Sequence, residues 1–454
     1  MALAQKDAFP DNVTLARHWM KDLSAEIEAT LLTHRLPSLN NGRLDGEFVL
    51  PHYDGLSIVN LPATTAALLG VPFSGAPPLP PEIWKPFAGG VRCVVRVVID
   101  ALGYDRLRRH MAAEHDTVFH RLLRQGGQLV PLTSVCPSTT VTALSSLWSG
   151  RTPAEHGMMG TRLFLRNMGV QAHMIFFNPV GFERRNVLLE EGLKADQFLP
   201  VPGFAEHLTR AGIESHVFIN QRYENGGLSD IFFRGAKAIH PFVSGSGADL
   251  WINLRRFMEK RAGDRLFISV YWGVIDALAH ERGPSFPGVD AELRSWTTLM
   301  TQEFLDPLSP AAADGTVFLI LSDHGQLDTP SAKAVHLDQH PALLEHLMMK
   351  PAGEPRLPFI FIRQGQLDAA RDYVRRHLAH AFLALDSQQA LQAGLFGPGD
   401  PAPETSARLG DLILACRGDT HLHDQDQPPH LLGLHGGLSR EEMWVPLLLK
   451  RLDT

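Results

Sequence analysis

Three apolar, β-branched runs each lead into an aspartate, and that recurrence limits what this chain can fold into. Residues 91–99 run into Asp100 in VVRVVID, and residues 316–322 run into Asp323 in LILSDHG. Residues 266–272 precede Asp276 across a short gap, in VYWGVIDALAHERGP. The first run is broken only by Arg92 and Arg96. Such runs are the pattern of strands buried on both faces of a parallel sheet. Shorter strand candidates lie at 128–132, 216–220 and 411–416, and helical patterns at 104–114, 205–211 and 250–260 are interspersed with them. The alternation predicts an α/β fold, a central and largely parallel sheet with helices on both faces. Ligands bind beyond the carboxyl ends of the strands in such sheets, so the three aspartates are expected along one edge.

The chain divides by composition. Residues 1–88 hold a helical start at 15–32 and a proline-rich stretch at 71–86, read as an arm and connector packing on the core. Residues 89–330 are the expected core. Residues 331–430 are too long for a loop and are expected to form an inserted cap or subdomain with strands of its own. Residues 431–454 complete the core. The polar, His-rich segment 418–433 is expected to be a loop near the site.

A net charge of −7 argues against a general nucleic-acid-binding surface. It does not exclude an anionic substrate, because bound metal reverses the field inside a carboxylate-rich pocket. Cys93, Cys136 and Cys416 are too few and too scattered for a disulfide framework. Cys93 and Cys416 read as core residues, and Cys136, just before a Ser/Thr cluster, reads as packing rather than catalysis. The first residues lack the basic and apolar regions of a signal peptide, and no apolar run is long enough to span a membrane. A cytoplasmic location is the expectation.

One aspartate at a strand end usually starts a turn or caps a helix. Three on one edge would repel one another and be costly to bury, and divalent cations remove that cost. Asp276 and His280 are four apart, so on a helix they face the same side, and an oxygen with an imidazole nitrogen suits zinc. Asp323 and His324 are adjacent, so they serve one metal only through irregular backbone, which Gly325 permits, or else sit between two. His435 precedes Gly436 and Gly437, which allow close approach of backbone. A lone histidine is more often structural, and His110, His115, His120, His207, His377 and His380 are not counted as ligands. Thr140 lies in PSTTVTALSSLWSG, where a helix is expected to start over 138–140. A helix N-terminus suits a phosphoryl group, and a threonine hydroxyl becomes a nucleophile when a metal removes its proton. A plain Ser/Thr N-cap explains that stretch equally well.

The stretches IDALGYDRL, PSTTVTALSSLWSGRTPAEHGMMG, DALAHERGP, LSDHG and LHGGLSREEMWVP occur in this order. Through them the chain resembles the alkaline phosphatase superfamily, and within it the type I phosphodiesterase/nucleotide pyrophosphatase branch. The resemblance covers residues from about 91 to 450. It implies two divalent metal ions. Asp276, His280 and His435 would hold one, and Asp100, Asp323, His324 and the Thr140 hydroxyl the other. Zinc is favoured, while manganese or iron suits a similar ligand set. The implied chemistry is in-line attack by Thr140 on phosphorus, a phosphothreonine intermediate, and its hydrolysis. The expected substrate is a small phosphodiester or nucleotide-like pyrophosphate. A phosphomonoesterase, a phosphonate hydrolase or a phosphotransferase of the superfamily is the alternative within that chemistry. A catalytically silent interaction protein, similar to PglZ-type defence-associated members, is the alternative outside it. One departure is plain. The branch carries an Asn three residues after the nucleophile, and this chain has Ala143. Thr142, Asn178, Asn220 and Arg162 are the candidates to replace it. His156 is expected to play a supporting or structural part.

Overall fold

The computed structural model describes residues 12–39, 46–424 and 431–454. Its central sheet has seven strands: β1 (Cys93–Ile99), β2 (Gln128–Thr133), β3 (Glu214–Asn220), β4 (Ala238–Phe242), β5 (Leu266–Trp272), β6 (Thr316–Leu321) and β7 (Trp444–Arg451). They lie in the order β2-β7-β6-β1-β5-β3-β4. β7 runs antiparallel to both its neighbours, β2 and β6, and the other described strands of the sheet share one direction. The α/β architecture read from the sequence is therefore present.

Two strands of this sheet escaped the sequence reading. β4 is short and carries Pro241 at the sheet edge, where a missing N–H is tolerated. β7 contains Pro446, a residue that argues against an interior strand, yet it pairs opposite Pro131, so the two residues lacking an N–H face each other.

Strand alternation divides the core. On β1, Val95, Val97 and Ile99 pack with the helices α2 (Gly247–Lys260) and α4 (Pro287–Met300), whose Trp251 and Trp296 rings are 4.9 Å apart. Val94 and Val98 face the opposite layer, with Val141 and Leu147 of α1 (Thr140–Ser149). Arg96 also points there, fully buried, and donates to the Leu147 carbonyl at 2.8 Å. A cation at the carboxyl end of α1 complements the helix dipole and fixes the far end of the helix that begins with Thr140.

A second seven-stranded sheet is antiparallel throughout. Its order is Phe382–Asp386, Leu412–Cys416, Leu357–Ile360, Ala352–Glu354, Arg162–Leu165, Val170–His173 and Asn178–Pro179. Residues 352–416 thus share a sheet with residues 162–179, joined where Gly353 pairs Arg162. The N-terminal helix, Asn12–Thr33, lies against the first helix after β1, where Tyr104 donates to Glu28 at 2.9 Å. Among the described residues, no helix is long and apolar enough to cross a membrane.

Candidate active site

The register of the parallel strands sets the site. Ile99 pairs Trp272 and Val98 pairs Leu321, so the carboxyl ends of β1, β5 and β6 align. Asp100 leaves β1 at that edge, its N–H bonded to the Trp272 carbonyl at 2.9 Å. Ala101 then adopts φ 60°, uncommon for a residue with a side chain, and turns its N–H onto Asp323 Oδ1 at 3.3 Å. Asp276 and His280 lie on α3 (Val274–Arg282), and the i,i+4 spacing brings Asp276 Oδ1 within 3.2 Å of His280 Nε2.

The six expected ligands gather in two groups, Asp276 with His280 and His435, and Asp100 with Asp323 and His324. In each, one ligand atom per residue lies within 4.8 Å of the others. His280 Nε2 is 3.2 Å from His435 Nε2, and His324 Nε2 is 3.2 Å from Asp100 Oδ1. Asp323 and His324 therefore join the same group, with Oδ2 and Nε2 3.6 Å apart. Gly325 serves close approach: a Cβ there would meet the Glu441 carbonyl, and its N–H bonds Glu442 O at 2.8 Å. Gly436, at φ +109°, lies against Glu354, and an added Cβ would come within 2.6 Å of the Glu354 side chain, too close to fit. Thr140 opens α1, and its Oγ1 is 3.0 Å from His324 Nε2.

Three features suit these groups to cations. Each imidazole points Nδ1 at a backbone carbonyl: His280 at Gly433 (2.7 Å), His324 at Gly325 (3.0 Å) and His435 at Ser138 (3.2 Å). That contact places the proton on Nδ1 and leaves the Nε2 lone pair facing inward, the arrangement of a metal-binding histidine. Asp100 Oδ1, Asp276 Oδ1 and Asp323 Oδ2 are buried and have no hydrogen-bond partner. Electrostatics agree. Burial and then the neighbouring Asp323 and Asp276 push the Asp100 carboxyl well up, and burial lifts Asp323 to about 7. Burial alone would also raise Asp276 and lower His280. Their mutual attraction prevails, holding Asp276 below its usual range and lifting His280 to about 9. Burial and His324 lower His435. Without cations, bound protons must supply the compensating charge.

Several contributors were not read from the sequence. Tyr271 donates to Asp100 Oδ2, and burial followed by the Asp100 charge raises its phenol well above the usual value. Ser134 Oγ donates to the Asp323 carbonyl at 2.5 Å. Buried Glu354 accepts from Thr161 N at 2.5 Å. A phenol near the end of a buried strand needs a partner, and that signal could have pointed to Tyr271.

A cavity of about 540 Å³ opens onto Thr140, Asp276, His280 and His435. Ala143 does not line it and is buried in α1. Of the four candidate replacements, Arg162 and Asn178 line the cavity. Thr142 is buried with its hydroxyl unpartnered, and Asn220 binds Arg222 N and Ser244 instead. His421 and His423, from the His-rich segment, also line the cavity, while residues 425–430 of that segment lie outside the described residues. His156 is buried away from both groups, accepting from Met158 N at 3.0 Å and contacting Ser146 Oγ at 3.0 Å, with burial lowering it to about 3. Cys136 is fully buried, and burial pushes its thiol well up.

No curated protein matches the chain by sequence. Among solved structures it is similar to murine ectonucleotide pyrophosphatase/phosphodiesterase 5, with a TM-score of 0.60 and 16% identity over 78% of this chain and 87% of that one. An inactive variant of the murine protein in complex with AMP gives a TM-score of 0.59, again at 16% identity, covering 78% of this chain and 87% of that one. Phosphonoacetate hydrolase from Sinorhizobium meliloti 1021, in complex with phosphonoformate, gives 0.58 at 16% identity over 80% of this chain and 90% of that one. At this identity the likeness shows the fold. The family model for type I phosphodiesterase/nucleotide pyrophosphatase matches residues 94–218 and 232–438. With well over half of its length matched, the chain belongs to the type I phosphodiesterase/nucleotide pyrophosphatase family.

Proposed function

We propose that this protein is a two-metal phosphodiester or pyrophosphate hydrolase in which Thr140 is the nucleophile. The observation that carries the reading is the position of the Thr140 hydroxyl, 3.0 Å from His324 Nε2 at the mouth of α1, beside three buried carboxylate oxygens without partners. Asp276, His280 and His435 would hold one ion, and Asp100, Asp323 and His324 the other, with Thr140 Oγ1 at its edge. Bound there, divalent cations would lower the pKa of the Thr140 hydroxyl and offset charge on the phosphoryl oxygens.

The remaining work falls to the chain. Thr140 Oγ1 forms a bond to phosphorus as the bond to the leaving oxygen breaks, giving a phosphothreonine and an alcohol or phosphate product. Water then attacks the same phosphorus and restores the hydroxyl. The free N–H groups at the start of α1 face the phosphoryl oxygens. Tyr271 orients Asp100, and the three carbonyl contacts fix the imidazoles. Murine ectonucleotide pyrophosphatase/phosphodiesterase 5 was captured with AMP and phosphonoacetate hydrolase with phosphonoformate, so either phosphoester or phosphonate chemistry suits this fold. The cavity favours a diester. Among the described residues, Arg162 is the one arginine or lysine lining it, and Glu183, Glu354 and Asp424 line it too. A dianionic monoester would demand more positive charge.

The test is hydrolysis of bis-p-nitrophenyl phosphate against p-nitrophenyl phosphate by protein of measured metal content, beside Thr140→Ala. The expected result is diester preference, about two metals per chain, and loss of turnover in the variant by at least about 10³-fold. Full activity in Thr140→Ala would remove the nucleophile assignment.

A further inference from the structure

Part of the His-rich segment folds into a short ribbon. His421–His423 pairs parallel with Ala334–His336, which sets His336 opposite His423 and Ala334 opposite His421. Side chains alternate between the two faces of a strand. Val335 and Leu422 pack into the apolar cluster that holds Leu337 and Ile362. His336, His421 and His423 therefore share the other face, and all three line the cavity that opens onto Thr140. The His336 and His423 rings are 4.9 Å apart.

Among the described residues, no hydrogen bond or ion pair engages a ring nitrogen of these three histidines. His421 is 6% exposed, its Nδ1 is buried without a partner, and its Nε2 opens to the cavity. Burial, and then the Arg356 charge, lowers His421 to about 4, so its ring is neutral at neutral pH, as a metal ligand must be. In the two groups described above, the ligand atoms already lie within 4.8 Å of one another. The three rings of the ribbon converge less, and side-chain rotation closes the remaining distance. The backbone permits it. Neighbouring strands lie about 4.8 Å apart and alternate residues about 6.6 Å apart, within reach of N–metal bonds of about 2.0–2.1 Å. Glu183, Glu354 and Asp424 line the same cavity and favour a cation there.

We propose that His336, His421 and His423 form a third metal site, separate from the two carboxylate-containing groups, for a late first-row divalent ion such as zinc. Three imidazoles without a carboxylate select zinc, copper or nickel over magnesium or calcium. Three protein ligands leave one coordination position open, and here it faces the cavity. The ion would add positive charge to a wall whose arginine, Arg162, is already paired with Asp424. The inference goes beyond the hydrolase reading and does not depend on it.

The test is bound zinc per chain, measured by atomic emission after equilibrium dialysis against zinc, for the native protein beside His336→Gln, His421→Gln and His423→Gln. At a free zinc level that just fills the native sites, each variant should hold one zinc fewer. Its affinity for that ion should fall by at least about 10- to 100-fold, the loss that even an outer-shell substitution brings. Repeated with magnesium, native protein and variants should bind alike, and a difference there would overturn the choice of ion. His336 and His423 are half-buried, so their variants keep the test open if His421→Gln does not fold. Equal zinc in native protein and in the His336 and His423 variants would overturn the site. So would the loss of more than one ion, which would mean that the substitutions disturb the other two groups. The difference in zinc is read whether or not any ester is turned over, so failure of this site and failure of the hydrolase reading are separate results.

Discussion

Replacing Arg356 with methionine should cost this protein stability by an amount that can be worked out beforehand. Arg356 and Glu442 are both fully buried and form a two-pronged ion pair, Nε to Oε1 at 2.9 Å and Nη2 to Oε2 at 2.8 Å. Arg356 also donates through Nη1 to the Gly418 carbonyl at 2.8 Å and to that of Thr420. Glu442 accepts from Gly437 N at 2.8 Å and Ser439 N at 3.1 Å, which ties down the loop that follows His435. Arg356→Met leaves a buried carboxylate without its cation, a change that costs about 3–5 kcal/mol. Unfolding entropy is about 2.1 cal/mol/K per residue. Over 454 residues that gives roughly 0.95 kcal/mol/K, so Tm should fall by about 3–5 °C. Calorimetry on the metal-free protein reads this directly. Because His435 sits two residues before Gly437, metal affinity should weaken in the same variant. A fall below about 1 °C, on the same conversion, would refute the reasoning, since it would mean that Glu442 is satisfied without Arg356.

The same pair sets a pH dependence. Burial would raise Glu442, but Arg356 holds it below its usual value, so its stabilisation is present above the unfolded pKa of about 4.3 and is lost as pH falls through the folded value. In Arg356→Met burial acts on Glu442 without that cation and raises it, so the variant is relieved by proton uptake at a pH where the native carboxylate is still charged. The Tm gap between native protein and Arg356→Met should therefore narrow as pH falls from 7 through the variant's raised value, and a gap unchanged between pH 7 and about 4.3 would contradict it. Tyr271→Phe removes the hydrogen bond to Asp100 and should weaken metal binding by about 10- to 100-fold in competitive chelator titrations; unchanged affinity would show that Asp100 is oriented without it. Adding zinc at about 100 times its Kd should raise Tm by roughly 3 °C, from about 2.7 kcal/mol of linkage and the same entropy, and no shift would mean that the two groups do not bind it.

The candidate ligands were legible because each is tied to a local pattern. Asp100 and Asp323 directly follow apolar runs, and parallel strands in register bring such residues to one edge whatever lies between them. Asp276 and His280 needed only a helical turn. His435 had its two glycines, and the structure shows what they permit: Glu354 packs against Gly436 and the Glu442 carboxylate against Gly437. The strand reading failed where local composition misleads. Pro446 sits inside β7, a position that becomes acceptable only once Pro131 is seen opposite it.

What stayed hidden is set by pairing between distant segments. Arg162, His173 and Asn178 form a row because two antiparallel registers align them, and a shift of one residue in either would turn alternate side chains away from the cavity. Nothing in RLFL or VQAH announces that register. The Arg356–Glu442 pair joins residues 86 positions apart, and each alone reads as an ordinary surface charge. The candidate site residues are therefore written in motifs near strand ends, while one wall of the cavity is written in the pairing of a second sheet. That division explains how metal-ligand motifs can be retained in order while Ala143 replaces an expected contact. The segments after the strands need only deliver six candidate ligand side chains to one edge, while the second sheet brings Arg162 and Asn178 to the same cavity.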